Sequence, residues 1–370
     1  MQSVGIMTVH QSVNCGASLQ AYALYRTIEE LGATPTIINY CPKYFMSYMD
    51  DSRIEERRSL RGRIKTALIG DRLTATRDQF LSFGNTNYPR MTKRVNAANS
   101  LNHFASEFDC IVCGSDQIWN PPHVKYDDSW MLDFAKQSDT VLVSYAASIG
   151  KDHLSDKDMR WLAEGMLNFD HIGIREESGV KIAEDLGFHA THCVDPTLLR
   201  TKEEWKGQLS VHSGRRVPNK FIFYYPIEEN NIESSLLFQL KKMTGLKCVA
   251  LTDSFRKPKY ADIQISGFSP RDFLDLVHGS TVVFTNSFHG LVFSLIFGKT
   301  LVSYKNETKN SRLESMFRSL RLDDYQVSSV EDLAGRDLNV DRERFISSYE
   351  NISGLIASSK DFLFRSISRK

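Results

Sequence analysis

Short apolar runs of three to six residues recur along this chain. A polar loop follows each one, and then usually a segment whose apolar residues return every three or four positions. In the first half, residues 4–9 read as a strand. The loop 10–16 leads into a helix over about 17–31, with Leu19, Tyr22, Ala23 and Arg26 at helical spacing and Gly32 as its stop. Residues 36–40, 108–113, 141–145, 171–174 and 189–194 read as further strands, interrupted by a basic helical stretch over 54–83. The segment 211–220, VHSGRRVPNK, is polar and carries Gly and Pro, as a linker does. A second alternating set follows, with strands at 221–225, 247–251, 263–265, 282–284 and 300–303 and a helix near 232–244. The tail over 341–366 reads as helical.

Strands alternating with helices predict parallel sheets, here two of them. The expected fold is α/β, with two Rossmann-like domains, residues 1–210 and 218–340, whose sheets face a cleft. A helical segment, residues 341–370, is expected to pack back on the first domain. The length of 370 residues agrees, because one hydrophobic core seldom serves so long a chain.

Composition narrows the classes little. The chain is 41% apolar and 25% charged, with net charge +1, so bulk charge gives no reason to expect nucleic acid. No apolar run approaches the roughly 18 residues of a membrane span, and the start has no basic region of the signal-peptide kind. Both points lead to an expected cytoplasmic location. Six cysteines in such a chain are not a disulfide framework. Cys110 and Cys113 spell C-x-x-C inside a strand, where residues three apart face opposite ways, so buried thiols are expected.

The segment TVVFTNSFHGLVFSLIFG, residues 281–298, carries the clearest chemistry. A buried strand runs into Thr285, Asn286, Ser287, Phe288, His289 and Gly290, and an apolar helix follows. The carboxyl end of a parallel strand is where ligands bind in such sheets, and a helix N-terminus attracts anions. His289 can exchange a proton near neutral pH. The segment reads as an anion pocket with an acid/base group.

GSDQIWNP, residues 114–121, packs Ser115, Asp116, Gln117, Trp119 and Asn120 into another loop after a strand. There Asp116 is a candidate proton acceptor and Trp119 a candidate sugar platform. The plainer alternative is that Ser115 and Asp116 satisfy backbone donors at a turn. Arg175, in GIREESG, can clamp a carboxylate or phosphate with two parallel hydrogen bonds, or simply pair with a neighbouring glutamate. Lys305, Lys309 and Arg312 could surround the same anion, or form a solvated cationic loop. The basic stretch 53–77 could lie on anionic lipid, or pack on its own domain.

Other patterns fail. Gly298-Lys299-Thr300 closes a helix where a P-loop would open one, and Phe293 stands at the required upstream glycine. Asp156-Lys157-Asp158 falls in a polar helical stretch, and the histidines offer no pair at ligand spacing. No metal is expected.

The motifs GSDQIWNP, SYAASIG (144–150), REES, VDPTLL (194–199) and NSFHGLVFSLIFGK, taken with NCGASLQAYAL (14–24) and NSRLESM (310–316), resemble the polysaccharide pyruvyl transferase family. The resemblance implies a glycosyltransferase-like GT-B fold and needs no metal or cofactor. It implies transfer of the pyruvyl group of phosphoenolpyruvate onto two hydroxyls of a hexose, with release of phosphate. The acceptor would be a surface polysaccharide or its lipid-linked precursor, which suits a cytoplasmic protein, at most peripheral on the inner membrane face. In the family, an arginine and a histidine that match Arg175 and His289 contact the donor. Many members carry an arginine where this chain has Ser287, so Arg312 or Lys305 is expected to supply that cation.

On this reading His289 protonates the donor methylene. Arg175, Asn286, Ser287, Phe288, Gly290, Lys305 and Arg312 hold the donor. Asp116, reaching across the cleft, activates a sugar hydroxyl. Asn14, Gly16, Ser115, Gln117, Trp119 and Asn120 line the acceptor side. Two other classes stay open on sequence alone: a nucleotide-sugar glycosyltransferase of the same fold, and a non-catalytic glycan-binding module.

Overall fold

A computed structural model describes residues 1–46, 60–151, 153–209, 217–227, 232–254, 256–305 and 311–368. The linker expected at 211–220 therefore falls largely outside the described residues. So do Lys309 and the start of the basic stretch.

Among the described residues, eleven strands form two sheets in which every neighbouring pair is parallel. The first holds β1 (Ser3–Met7), β2 (Thr34–Ile37), β3 (Cys110–Cys113), β4 (Val141–Ala147), β5 (His171–Ile174) and β6 (Thr191–His192), in the order β2-β1-β3-β4-β5-β6. Helix α1 (Cys15–Glu30) joins β1 to β2. It starts two residues earlier than expected because the Asn14 side chain accepts the Ala17 N–H at 3.2 Å. A single turn, α2 (Lys43–Met46), and the long α3 (Leu60–Asn87) precede β3. Helix α4 (Asp156–Met166) opens on a Ser155–Asp158 capping box, which gives the D-x-D pattern a structural role. Helix α5 (Glu177–Asp185) follows β5. The expected strand 189–194 shrinks to two residues because Asp195 and Pro196 start a short 3₁₀ helix. A short α6 (Lys202–Lys206) comes next.

The second sheet holds β7 (Phe221–Tyr225), β8 (Lys247–Leu251), β9 (Ile263–Ile265), β10 (Val282–Thr285) and β11 (Thr300–Ser303), in the order β11-β10-β7-β8-β9. Helices α7 (Glu233–Thr244), α8 (Pro270–Gly279) and α9 (Phe288–Phe297) connect them; α10 (Ser311–Ser319), α11 (Val330–Ala334), α12 (Leu338–Ser347) and α13 (Tyr349–Ile367) complete the chain.

Two compact units result. Residues 1–52, 82–200 and 353–370 form one, and residues 53–81 and 201–352 form the other. The C-terminal helix does pack on the first sheet's unit: Ser359 Oγ accepts the Val194 N–H at 2.9 Å, and Phe362 lies 6.5 Å from Tyr145, ring to ring.

Helices cover both faces of each sheet, so β3, β10 and β11 are buried end to end and read as continuous apolar runs. In the second unit Tyr224, Phe284 and Tyr304 stack across three neighbouring strands at 5.4 and 4.6 Å. On the other face, Phe223 and Tyr225 meet Phe273 of α8, which in turn packs on Phe293 of α9. Among the described residues no helix is long and apolar enough to cross a membrane.

Strand order decides where a ligand fits. In the first sheet the chain places β2 on one side of β1 and β3 on the other. In the second, β8 and β9 lie to one side of β7, and β10 and β11 to the other. In open parallel sheets, connections diverge at such reversals and ligands bind at the strands' carboxyl ends.

Candidate functional site

The TNSFHG turn sits at the second sheet's reversal. Thr285 ends β10 and pairs in register with Tyr225, which ends β7. The Thr285 hydroxyl donates to the Tyr225 carbonyl and accepts the Ser287 N–H at 3.0 Å. Asn286 Oδ1 accepts the Ile227 N–H at 2.8 Å and so ties the two diverging loops together. Ser287 is the N-cap of α9; its hydroxyl accepts the Gly290 N–H at 3.2 Å. His289 lies in the first helical turn and is buried. Gly290 is tightly packed, since a Cβ there would come within 2.7 Å of the Thr285 side chain and force a shift. Residues 285–290 contain no carboxylate, while the helix dipole supplies partial positive charge.

The expected cations divide. Lys305 Nζ lies 3.5 Å from Glu314 Oε1 in an exposed pair, which holds it only weakly. Arg312 is half-buried in the first turn of α10.

The first sheet's reversal is built differently. Gln20 of α1 donates to Thr8 Oγ1 at 2.8 Å and to Val9 O at 3.1 Å, and accepts the Ser115 N–H at 3.3 Å, so it bridges the ends of β1 and β3. Arg175 follows β5 and is buried. Its Nη1 donates to Asp195 Oδ2 at 2.8 Å, and its Nε lies 3.3 Å from Glu176 Oε1. Asp195 also accepts from Ser115 Oγ at 3.2 Å, and from the Thr197 N–H and hydroxyl at 3.0 and 2.7 Å. Glu176 accepts from Ser148 Oγ. Burial pushes the Arg175 guanidinium pKa down, but Glu176, Asp195 and Asp116 outweigh it and raise the pKa above its ordinary value. Arg175 thus takes the ion-pair alternative, at the centre of a buried network.

Asp116, half-buried, has a left-handed backbone, and its Oδ1 accepts the Gln117 N–H at 2.9 Å. Ser115 Oγ accepts the Asp116 N–H at 2.6 Å. Both side chains therefore satisfy turn donors, the plainer of the two readings. Gln117 is half-buried, and Asn120 Oδ1 accepts the His123 N–H at 3.4 Å. Asn14 and Gly16 serve α1, the first as its cap and the second in its buried first turn.

Trp119 requires a correction. It is fully enclosed, its Nε1 donates to the Trp130 carbonyl at 3.3 Å, and Phe169 packs on its ring at 5.3 Å. No face remains for a sugar. The cysteines are buried free thiols; burial pushes Cys110 up to about 12, so both C-x-x-C residues are core. Sequence reasoning assigned no role to Gln20 or Asp195; the glutamate beside Arg175 entered it as the ion-pair alternative that Glu176 fulfils. The available signal was a polar residue in a helix otherwise buried along its length, and the acid of VDPTLL at a strand's end.

A family-level sequence model, Polysaccharide pyruvyl transferase, matches residues 14–307. The chain belongs to this family. The TNSFHG turn and Gln20, Ser115, Arg175 and Asp195 fall inside the matched region, which β1 precedes. No curated relative matches the sequence.

Solved structures similar to this pyruvyl transferase are UDP-GlcNAc 2-epimerases. That of Neisseria meningitidis bound to UDP-GlcNAc aligns with TM-score 0.57 at 11% identity, covering 99% of each chain. A UDP-N-acetylglucosamine 2-epimerase of Listeria monocytogenes, so named as putative, aligns with TM-score 0.55 at 10% identity, over 94% of this chain and 90% of the other. At such identity the likeness shows the fold alone, two parallel-sheet α/β domains of GT-B type.

Proposed function

We propose that this pyruvyl transferase takes phosphoenolpyruvate as donor and closes a cyclic ketal on two hydroxyls of a hexose, in a surface polysaccharide or its lipid-linked precursor. The observation that carries the reading is His289 in the first turn of α9, at the second sheet's strand reversal. The donor carries a carboxylate and a phosphate, and an acid-free turn at a helix N-terminus suits both. Arg312, half-buried in the first turn of α10, and exposed Lys305 are the cations proposed in place of an arginine at Ser287.

Ketal formation needs two steps at C2. One sugar hydroxyl adds to C2 while its proton leaves to a base and the C3 methylene gains a proton from His289. The second hydroxyl's oxygen then displaces phosphate from C2, its proton restoring His289, while the proton taken by the base leaves on the phosphate. A positioned acid is worth about 10²–10⁴-fold in such a step. Asp116, a half-buried carboxylate at the first sheet's reversal, is the candidate base.

The test is incubation with phosphoenolpyruvate and a panel of hexosides, scored for released phosphate and for a ketal mass gain on the sugar. Both should appear together with one or a few acceptors. Turnover of UDP-GlcNAc, with none of phosphoenolpyruvate, would overturn the reading.

A further inference from the structure

One face of the second unit concentrates positive charge that the chain as a whole lacks. Residues 238–262 carry six cations, Lys241, Lys242, Lys247, Arg256, Lys257 and Lys259, against two acids, in a protein of net charge +1. The fold gathers Lys241, Lys247, Lys257 and Lys259 around Asp262 and Tyr260 at the β8–β9 edge, with Lys242 exposed on α7 and Arg256 exposed beside Lys257 in the chain. Lys241 Nζ reaches Asp262 Oδ2 at 2.6 Å and Tyr260 O at 3.0 Å, and Lys257 Nζ reaches Asp262 O at 3.2 Å. Lys259 Nζ stands 5.0 Å from the centre of the Tyr260 ring. Lys247 precedes Cys248, whose N–H also donates to Asp262, at 2.7 Å. Asp262 is engaged by the cluster itself, and Asp253 accepts the Gly267 N–H at 3.0 Å.

An aromatic pair lies among these cations. Phe238 of α7 is 52% exposed and Tyr260 is 36% exposed, with their rings 5.0 Å apart. Ile232, 37% exposed, together with Ser235 and Lys242, shares the outward side of α7 with Phe238. Phe238 packs against Tyr260 on one side and leaves its other side in water.

We propose that this face docks the protein on an anionic lipid bilayer, with the Phe238 and Tyr260 rings entering the headgroup layer and the lysines and Arg256 meeting lipid phosphates. Five of the six cations are lysines, compact charges on flexible stems that can follow a fluid surface, where a fixed bidentate partner would favour arginine. Aromatic rings with one apolar side and a wet rim are suited to that interface. The proposal concerns a surface apart from the strand reversals, and holds whichever donor the enzyme uses.

The test is co-sedimentation of the full chain with vesicles of phosphatidylcholine alone, and of phosphatidylcholine mixed equally with phosphatidylglycerol. Binding should appear only with the anionic vesicles and weaken as salt is raised. Combining Lys242→Glu, Arg256→Glu and Lys259→Glu should lower the partition coefficient at least about tenfold. Phe238→Ser should lower it several-fold and leave the salt dependence in place. Phosphate release on a soluble acceptor should be unchanged in both variants. Anionic binding that persists in the charge variant would put any membrane contact elsewhere, and wild-type protein that ignores both vesicles would leave the face to an acidic macromolecule; either result overturns the proposal.

Discussion

The two strand reversals occupy the same topological place in their sheets and are built from opposite chemistry. At the first, Arg175, Asp195 and Glu176 are buried together, with Ser115, Ser148 and Thr197 completing their hydrogen bonds. At the second, Thr285, Asn286, Ser287 and His289 are buried with no acid among residues 285–290. A buried ion network fixes geometry at a high desolvation cost. A neutral turn beside a helix N-terminus leaves positive potential available to an incoming anion. Position in the fold therefore does not distinguish the two ends; the balance of acids does.

The sharpest way to separate the two ends is His289→Gln. Phosphate release from phosphoenolpyruvate in the presence of acceptor should fall about 10²–10⁴-fold with the melting profile unchanged. Full activity would remove His289 from the chemistry. At the other end, Asp195→Ala should leave Arg175 buried without its main partner and cost about 3–5 kcal/mol. Three of the four tryptophans, Trp119, Trp130 and Trp161, belong to the first unit, so denaturant unfolding followed by their fluorescence reads this loss. An unchanged midpoint would show that the network contributes nothing to stability.

Gly290→Ala should be smaller, about 1–3 kcal/mol, because the new methyl presses on Thr285. Its effect belongs to the second unit, where Trp205 packs on Phe293 at 4.9 Å. A variant as stable as wild type would mean that α9 shifts freely.

The smallest effect is a pH dependence at the first end. His10 is buried between Thr8 O at 2.9 Å and Asn39 Oδ1 at 3.2 Å, and burial holds its pKa below the usual 6.5. The unfolded chain then binds more protons than the folded one as pH drops below 6.5. Stability should fall in that range, by at most about 1.4 kcal/mol per pH unit, until the lowered folded value is reached. His10→Gln should flatten that part of the profile, and a slope identical to wild type would contradict the assignment.

Much of the fold could be read from apolar periodicity, because fully covered parallel strands leave unbroken runs such as CIVC and VVFT. The ends of elements were less legible. The strand expected at 189–194 is cut short by Asp195 and Pro196, whose turn chemistry overrides the apolar pattern. The turn at 285–290 was legible because strand, polar loop and helix are contiguous there. Arg175 was ambiguous because its partners lie 1 and 20 residues away, and pairing at that separation is set by the sheet. Trp119 misled for a related reason. Its polar neighbours in GSDQIWNP suggest an open loop, yet the Trp119 indole turns inward, toward Trp130 and Phe169, and Ile118 beside it is buried as well.

The most direct measurement is a crystal structure of the protein soaked with phosphoenolpyruvate. The account predicts donor phosphate or carboxylate oxygens within hydrogen-bonding distance of the first-turn N–H groups of α9 and of the His289 ring. Donor density beside Arg175 with the SFHG turn untouched would contradict it.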